Sequence, residues 1–158
     1  MSDPLVSILI PCFNAEKYIK ETVESCLEQK WKNIEIIVVD DGSTDQSIHI
    51  LKSIKNKKVK IVLQENQGAI AARNSAYKHS NGKYIQYLDA DDLLSKEKIG
   101  DQVMLLERDK PGLVALSNTA YFYDGENPVN GRLKSDWPHV DSDNPTDWLI
   151  ELIGPETG

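Results

Sequence analysis

The chain has 158 residues, of which 40% are hydrophobic and 27% charged, enough for one domain with a proper core and too few for two comfortable ones. Its net charge of -7 argues against a nucleic-acid backbone or an anionic membrane as partner, because both attract cations. A phosphate ligand would need imported positive charge, for which a divalent metal is one source.

In chain order, the apolar runs Leu5–Ile10, Ile34–Val39, Val59–Leu63, Tyr84–Leu88 and Leu113–Leu116 are short and rich in Val and Ile. They predict strands buried on both faces, the usual state of a parallel sheet. The intervening segments have helical spacing: Ile19, Val23, Cys26 and Leu27 share one face, as do Ile99, Val103 and Leu106. Asn14 is expected to cap the first helix, Ser43 to Gln46 fits a capping box, and Ser95 is a candidate cap for the fourth. Gly82 and Pro111 stand where helices should stop. Strand and helix alternate four times, which predicts one α/β sandwich with right-handed crossovers.

Past Ser117 the turn signals Asp124 to Pro128 and Asn130-Gly131 suggest a hairpin linking Tyr121–Tyr123 to Arg132–Lys134. Trp148 to Ile153 reads as the start of a helix, and the chain stops soon after it. The expected division is therefore a core at 1–118 and the start of a further region at 119–158. Cys12 and Cys26 make neither a disulfide framework nor a zinc site and read as small buried apolar side chains. No apolar stretch approaches the roughly 18 residues of a membrane span. Ser2, Asp3 and Pro4 precede the first apolar run, unlike a signal peptide. A cytoplasmic setting is the expectation.

Ligands of an open α/β sheet bind at the carboxyl ends of its strands. Pro11 to Asn14 follow the first strand, Asp40-Asp41-Gly42-Ser43 the second, Gln64 to Gly68 the third, and Asp89-Ala90-Asp91-Asp92 the fourth. Carboxylates from two strand ends would thus converge on one edge, an arrangement that costs energy unless a cation or donor groups compensate. Oxygen ligands of this kind suit Mg²⁺ or Mn²⁺ held by one or two carboxylates plus substrate phosphates. A receiver domain also gathers carboxylates around Mg²⁺, but the lone Asp after a middle strand and the Lys after the last one have no counterpart here. A dinucleotide site would need Gly-x-Gly-x-x-Gly after the first strand. The loop Pro11 to Asn14 contains no glycine, which also disfavours a sugar nucleotidyltransferase.

Val6 to Asn14, Ile37 to Asp45, Asn66-Gln-Gly68 through Ala72-Arg-Asn74, and Gly82 to Asp92 resemble, in order and spacing, the four signatures of family 2 glycosyltransferases. The resemblance covers roughly residues 5–105. It implies an inverting enzyme of the GT-A fold, the Rossmann-like, three-layer α/β sandwich of nucleotide-diphospho-sugar transferases with a mostly parallel central sheet.

By that resemblance, Pro11 and Phe13 wall the base pocket and Asp41 accepts a hydrogen bond from a uracil imide, a contact that rejects bases lacking the donor. Asp40 either joins the nucleotide site or orients its own loop. Arg73 approaches the diphosphate or braces the acidic loop, and Gly68 serves a close turn. Asp91 ligates a divalent metal, Mn²⁺ or Mg²⁺, that bridges the donor phosphates, and Asp89 touches the ribose or the metal through water. Asp92 is expected to cap a helix. The donor implied is a UDP-sugar and the acceptor a carbohydrate or lipid-linked hydroxyl, in bacterial surface polysaccharide synthesis.

The base should be an Asp or Glu well downstream. Asp141, Asp143, Asp147 and Glu151 are the carboxylates available, none in a recognisable family context, so the chain is expected to be a piece cut before its base. Trp137 and Trp148 are expected in a core or interface, His139 in solvent, and Met104 on an ordinary helix face. A polyprenyl-phosphate sugar transferase and a non-catalytic nucleotide-binding module remain alternatives, and membrane association of a longer protein stays open.

Overall fold

The computed structural model describes residues 3–108, with 114–115, 117, 119–123, 125–128 and 131–133. It divides into two compact units, Met1–Gly100 and Asp101–Gly158. The first holds four strands, β1 (Val6–Cys12), β2 (Ile34–Asp41), β3 (Val59–Gln64) and β4 (Tyr84–Tyr87). All pair in parallel, in the order β3-β2-β1-β4. Between them run α1 (Ile19–Leu27), α2 (Ser47–Ser53) and α3 (Ala69–Lys78), and α4 (Lys98–Arg108) follows β4.

The runs of β1 and β2 become central strands because both of their faces are covered, whereas β3 and β4, at the edges of the sheet, are only partly buried, against the expectation for them. Ile8, Leu9, Ile10, Ile36, Ile37, Val38 and Val39 are all 0% exposed. Each such side chain contributes about 1.5–3 kcal/mol relative to an exposed one, so β1 and β2 form the spine of the sheet. Leu9, Ile37 and Val39 pack with Ala72 and Ala76 of α3, flanked by Val62 and Ile85. Small residues on α3 let the helix approach the sheet closely.

Ile8, Ile10, Ile36 and Val38 point to the opposite face, because side chains alternate along a strand. The steps β1 to β2 and β2 to β3 move one way across the sheet, and the step β3 to β4 moves back past both. Right-handed crossovers therefore put α1 and α2 on one face and α3 on the other. The three layers follow from the strand order, as expected for the fold class.

The first four of the five predicted strands and their helices are present, but several expected caps are not. α1 begins at Ile19 and α2 at Ser47, and neither start has a side-chain cap bond. Asn14 instead has φ +50°, in the left-handed region that Asn tolerates, and its Oδ1 accepts the Thr44 N–H. The Ser43–Gln46 box does not form either, because Ser43 Oγ accepts the Asn14 N–H of the neighbouring loop. Asp45 bridges the two, taking the Glu16 N–H on Oδ2 and the N–H of Ser47, where α2 begins, on Oδ1. α4 starts at Lys98, whose N–H is taken by the Ser95 carbonyl, so Asp92 sits well before the helix and caps nothing.

Gly82 stands four residues beyond α3 for reasons of space. A Cβ there would lie 2.5 Å from Ser7 Oγ and 2.6 Å from Ser7 N. Its N–H donates to Ser7 Oγ, which in turn donates to Glu35.

In the second unit Ala120–Tyr121 (β5) pairs antiparallel with Arg132–Leu133 (β6), the expected hairpin in shortened form. Val114 and Ala115 form no strand, and the rest of the predicted fifth strand lies outside the described residues. So do Pro111, Trp137, His139, Trp148 and the downstream carboxylates. Met104 is exposed on α4.

Candidate functional site

The strand order reverses between β1 and β4, since the chain leaves β1 for β2 and returns beside β1 only with β4. Such a switch point splays the loops on either side and opens a crevice at the carboxyl ends. The crevice is there. A hollow of about 350 Å³ is lined by Pro11, Phe13 and Asn14 after β1, Tyr18 before α1, Asp41 at the end of β2, Arg73 on α3, and Asp89 and Asp91 after β4, with Cys12, Ala15, Ala69, Ala72 and Ala90 between them.

Its first wall is held by a lattice between two loops. The Asn14 N–H donates to Ser43 Oγ at 3.0 Å, Ala15 N–H to Ser47 Oγ at 2.9 Å, and Glu16 N–H to Asp45 Oδ2 at 3.0 Å. In return Thr44 N–H donates to Asn14 Oδ1 at 2.8 Å and Gln46 N–H to Glu16 Oε2 at 2.9 Å. These bonds place Phe13, 51% exposed, as an open aromatic surface on the rim.

The two aspartates that close β2 have different fates. Asp40, 1% exposed, takes the Ser43 N–H on Oδ2 at 3.1 Å. Its Oδ1 is buried without a hydrogen-bond partner among the described residues. Asp40 thus shapes its own loop and is not among the lining side chains. Asp41, 2% exposed, lines the hollow and gathers the β3–α3 turn: Gln64 Nε2 donates to Oδ1 at 2.7 Å, Gln67 N–H to Oδ1 at 2.9 Å and Gly68 N–H to Oδ2 at 2.8 Å. Burial alone would raise its pKa, but these three bonds to the charged form outweigh it and hold the carboxyl below its ordinary value. Gly68 has φ +87°, so the turn needs glycine for its backbone angle, while a Cβ would meet nothing within 4 Å.

The acidic side of the hollow is braced from α3 and from α1. Arg73 Nη2 donates to Asp89 Oδ1 at 2.6 Å. Thr22 Oγ1 donates to the Ala90 carbonyl at 2.8 Å, and Ser25 Oγ accepts the Leu94 N–H at 3.2 Å. Gln29, fully buried, donates to the Ser95 carbonyl at 2.8 Å and accepts the Ile99 N–H at 3.2 Å. Asp89 and Asp91 stay exposed. Partial burial of the Asp92 carboxyl and, after it, the charges of Asp91 and Asp89 raise the Asp92 pKa.

Among the described residues no three His, Cys, Asp or Glu side chains are grouped to hold a metal on their own. Two carboxylates beside an open hollow nonetheless match the mode in which phosphate oxygens complete the coordination of a hard cation. Cys12, beside the hollow, is pushed up to about 12 by burial and then by Asp40, and Cys26 to about 12 by burial. Both thiols stay protonated and unreactive.

Of the carboxylates expected to converge, Asp41, Asp89 and Asp91 share the hollow, together with Pro11, Phe13 and Arg73. Tyr18 is an additional lining residue that sequence reasoning missed; a large aromatic just before the helix at the switch point was its only signal. The polar stripe Thr22, Ser25, Gln29 was also missed, although polar residues three and four apart beside the apolar face of α1 mark a second buried contact.

Residues 7–152 match the family model described as glycosyl transferase family 2. The chain is 40% identical over 133 residues to the Escherichia coli UDP-Glc:alpha-D-GlcNAc-diphosphoundecaprenol beta-1,3-glucosyltransferase WfaP, covering 83% of this chain and 51% of WfaP. Staphylococcus aureus TarS, solved as its 1-349 segment in complex with UDP, superimposes with a TM-score of 0.61 at 33% identity, covering 65% of this chain and 32% of that one. The Pyrobaculum calidifontis mannosyltransferase PcManGT, solved with GDP-Man and Mn2+, superimposes with a TM-score of 0.62 at 26% identity, covering 66% and 33%. The chain thus spans about half of WfaP and about a third of each solved protein.

Proposed function

Since the chain belongs to glycosyl transferase family 2 and adopts the GT-A fold, we propose that its hollow binds the nucleoside diphosphate of a sugar donor, a UDP-sugar first among them. The observation that carries this reading is that Asp41, Arg73, Asp89 and Asp91 line the same switch-point hollow as Phe13. Phe13 and Pro11 offer the base an apolar wall. Asp41, positioned by its three internal donors, presents the remaining acceptor capacity of its carboxylate to a ring N–H, and Asp40 supports it by fixing the Asp40–Ser43 loop. TarS, solved with UDP, supports uracil as the base.

Asp91, with Asp89 beside it, would hold Mn²⁺ or Mg²⁺ against the donor phosphates. A divalent cation there supplies Lewis-acid stabilisation of the charge on the departing diphosphate. PcManGT, solved with Mn2+, supports that choice. Arg73 brings a fixed positive charge to the same rim, and α3 points its positive N-terminal end, at Ala69, toward the hollow.

In the complete protein the acceptor hydroxyl attacks the anomeric carbon as the bond to the diphosphate breaks, with inversion, and the hydroxyl proton passes to a carboxylate base. The carboxylates expected for that role, Asp141, Asp143, Asp147 and Glu151, lie outside the described residues. WfaP, whose name specifies a diphosphoundecaprenol acceptor, supports a lipid-linked saccharide acceptor; bacterial surface polysaccharide synthesis in a cytoplasmic setting is the role that goes with this reading. Among the described residues no helix is long and apolar enough to cross a membrane.

Calorimetric titration with UDP, with and without Mn²⁺, tests the site. Binding should strengthen at least tenfold with Mn²⁺, and Asp91→Ala should abolish the gain. Equal UDP affinity with and without metal would sink the metal assignment, and absence of binding under all conditions would leave a purely structural domain.

A further inference from the structure

We propose that Thr22 is a positioning residue for the acidic turn, its hydroxyl fixing Asp89 and Asp91 at the spacing that a shared cation requires; this rests on the reading of the hollow given above. Thr22 lies on the buried side of α1 and is 0% exposed. Its backbone N–H is taken by the Tyr18 carbonyl in the ordinary helical way, while its hydroxyl serves another element. That hydroxyl donates to the Ala90 carbonyl at 2.8 Å, and Ala90 is the residue between the two lining carboxylates.

One bond therefore pins the centre of the Asp-x-Asp segment to a helix. The side chains on either side of the pinned residue line the hollow, and the turn closes with the Asp92 N–H on the Asp89 carbonyl at 3.2 Å. Asp89 has a second brace in Arg73. Among the described residues the Asp91 side chain has no hydrogen bond to accompany it, so its position follows the backbone that Thr22 holds. The need for a tether is electrostatic. Three neighbouring carboxylates repel one another, and a turn free to spread would separate Asp89 from Asp91 before a cation arrived.

Ser25 and Gln29 hold only the later part of the same segment, at Leu94, Ser95 and Ile99. Among the three stripe residues, the Thr22 hydroxyl is the one bonded within the acidic turn itself. A hydroxyl is required there, because a methyl in its place would leave a carbonyl without its donor.

The test compares Thr22→Val, which keeps the shape and removes the donor, with Thr22→Ser, which keeps the donor. Two readouts are taken on the full chain: hydrogen exchange of the Asp92 amide without ligand, and the Mn²⁺ concentration at half-maximal UDP binding. Thr22→Val should speed exchange at Asp92 at least tenfold and raise the Mn²⁺ requirement at least fivefold. UDP affinity without metal should not change, and Thr22→Ser should restore both values.

Faster exchange in a protein whose wild type never binds UDP with Mn²⁺ would retain the tether and discard the donor site. Unchanged exchange and an unchanged metal requirement in a folded Thr22→Val overturn the proposal. So does a Thr22→Val that fails to fold while Thr22→Ser folds, since the hydroxyl then serves the fold as a whole.

Discussion

Arg73 on α3 and Asp89 after β4 meet at 2.6 Å on the rim of the hollow, joining the helix that covers one face of the sheet to the strand end at which the chain order reverses. The two side chains are 38% and 54% exposed, so solvent screens the pair and it contributes no more than about 1 kcal/mol to folding. Both residues line the hollow, and a role in binding the donor is the reading proposed above. Arg73→Ala should leave the thermal midpoint nearly unchanged and weaken UDP binding in Mn²⁺ about tenfold. A melt and a titration on the same preparation separate the two effects, and a variant that loses stability but keeps its affinity would make Arg73 a structural brace.

Gly42 and Gly68 flank Asp41 in space and need glycine for different reasons. Both have positive φ, +74° and +87°, where a Cβ costs about 1–3 kcal/mol. At Gly42 the added carbon would also lie 2.9 Å from the Asn66 backbone nitrogen, whereas at Gly68 it would meet nothing within 4 Å. Urea denaturation should therefore show Gly42→Ala to be the more damaging change, with Gly68→Ala limited to the backbone term. Equal losses would mean that the contact at Asn66 relaxes freely.

Acid should unfold the protein by protonating carboxylates that the fold holds ionised. Although burial opposes it, hydrogen bonds keep Asp41, Asp45 and Glu35 below their ordinary values of 3.8, 3.8 and 4.5. A depressed folded pKa adds stability that is complete above the unfolded value and disappears as pH falls through the folded one. Stability should thus hold down to about pH 5 and decline below about pH 4. Asp41→Asn should be weaker at neutral pH, where the charged acceptor is lost, and should show a shallower acid limb. An identical acid limb in the variant would mean that Asp41 does not contribute.

The two cysteines should resist alkylation. Buried thiols pushed up to about 12 carry almost no thiolate at neutral pH, and the thiolate is the nucleophile. Iodoacetamide at pH 7.5 should leave Cys12 and Cys26 unmodified in the native protein and label both in urea. Rapid native labelling of Cys12 would show that the first loop opens toward the hollow.

The parallel sheet was legible because its signal is local and strong: short Val- and Ile-rich runs alternate with helical spacing, and acidic or glycine-bearing loops follow the second, third and fourth strands. The motif residues on strand ends were legible for the same reason, since a carboxylate one residue past a buried strand has few places to go. Helix starts were less so. Asn14 and Ser43 have the chemistry of caps, but tertiary contact offered them partners across two loops, and a hydrogen-bonding group takes whichever partner the fold brings near.

That β1 to β4 exist and run parallel, and which loops carry carboxylates, were decided by residue patterns along the chain. The strand order 3-2-1-4 was not, and it is this order that opens the hollow between β1 and β4 and brings Asp41 and Asp91, fifty residues apart in sequence, to one cavity. The separate fates of Asp40 and Asp41, adjacent and chemically identical, were likewise set only by folding. Alternation along β2 sends their side chains in opposite directions, one into its own loop and the other toward Gln64, Gln67, Gly68 and the hollow.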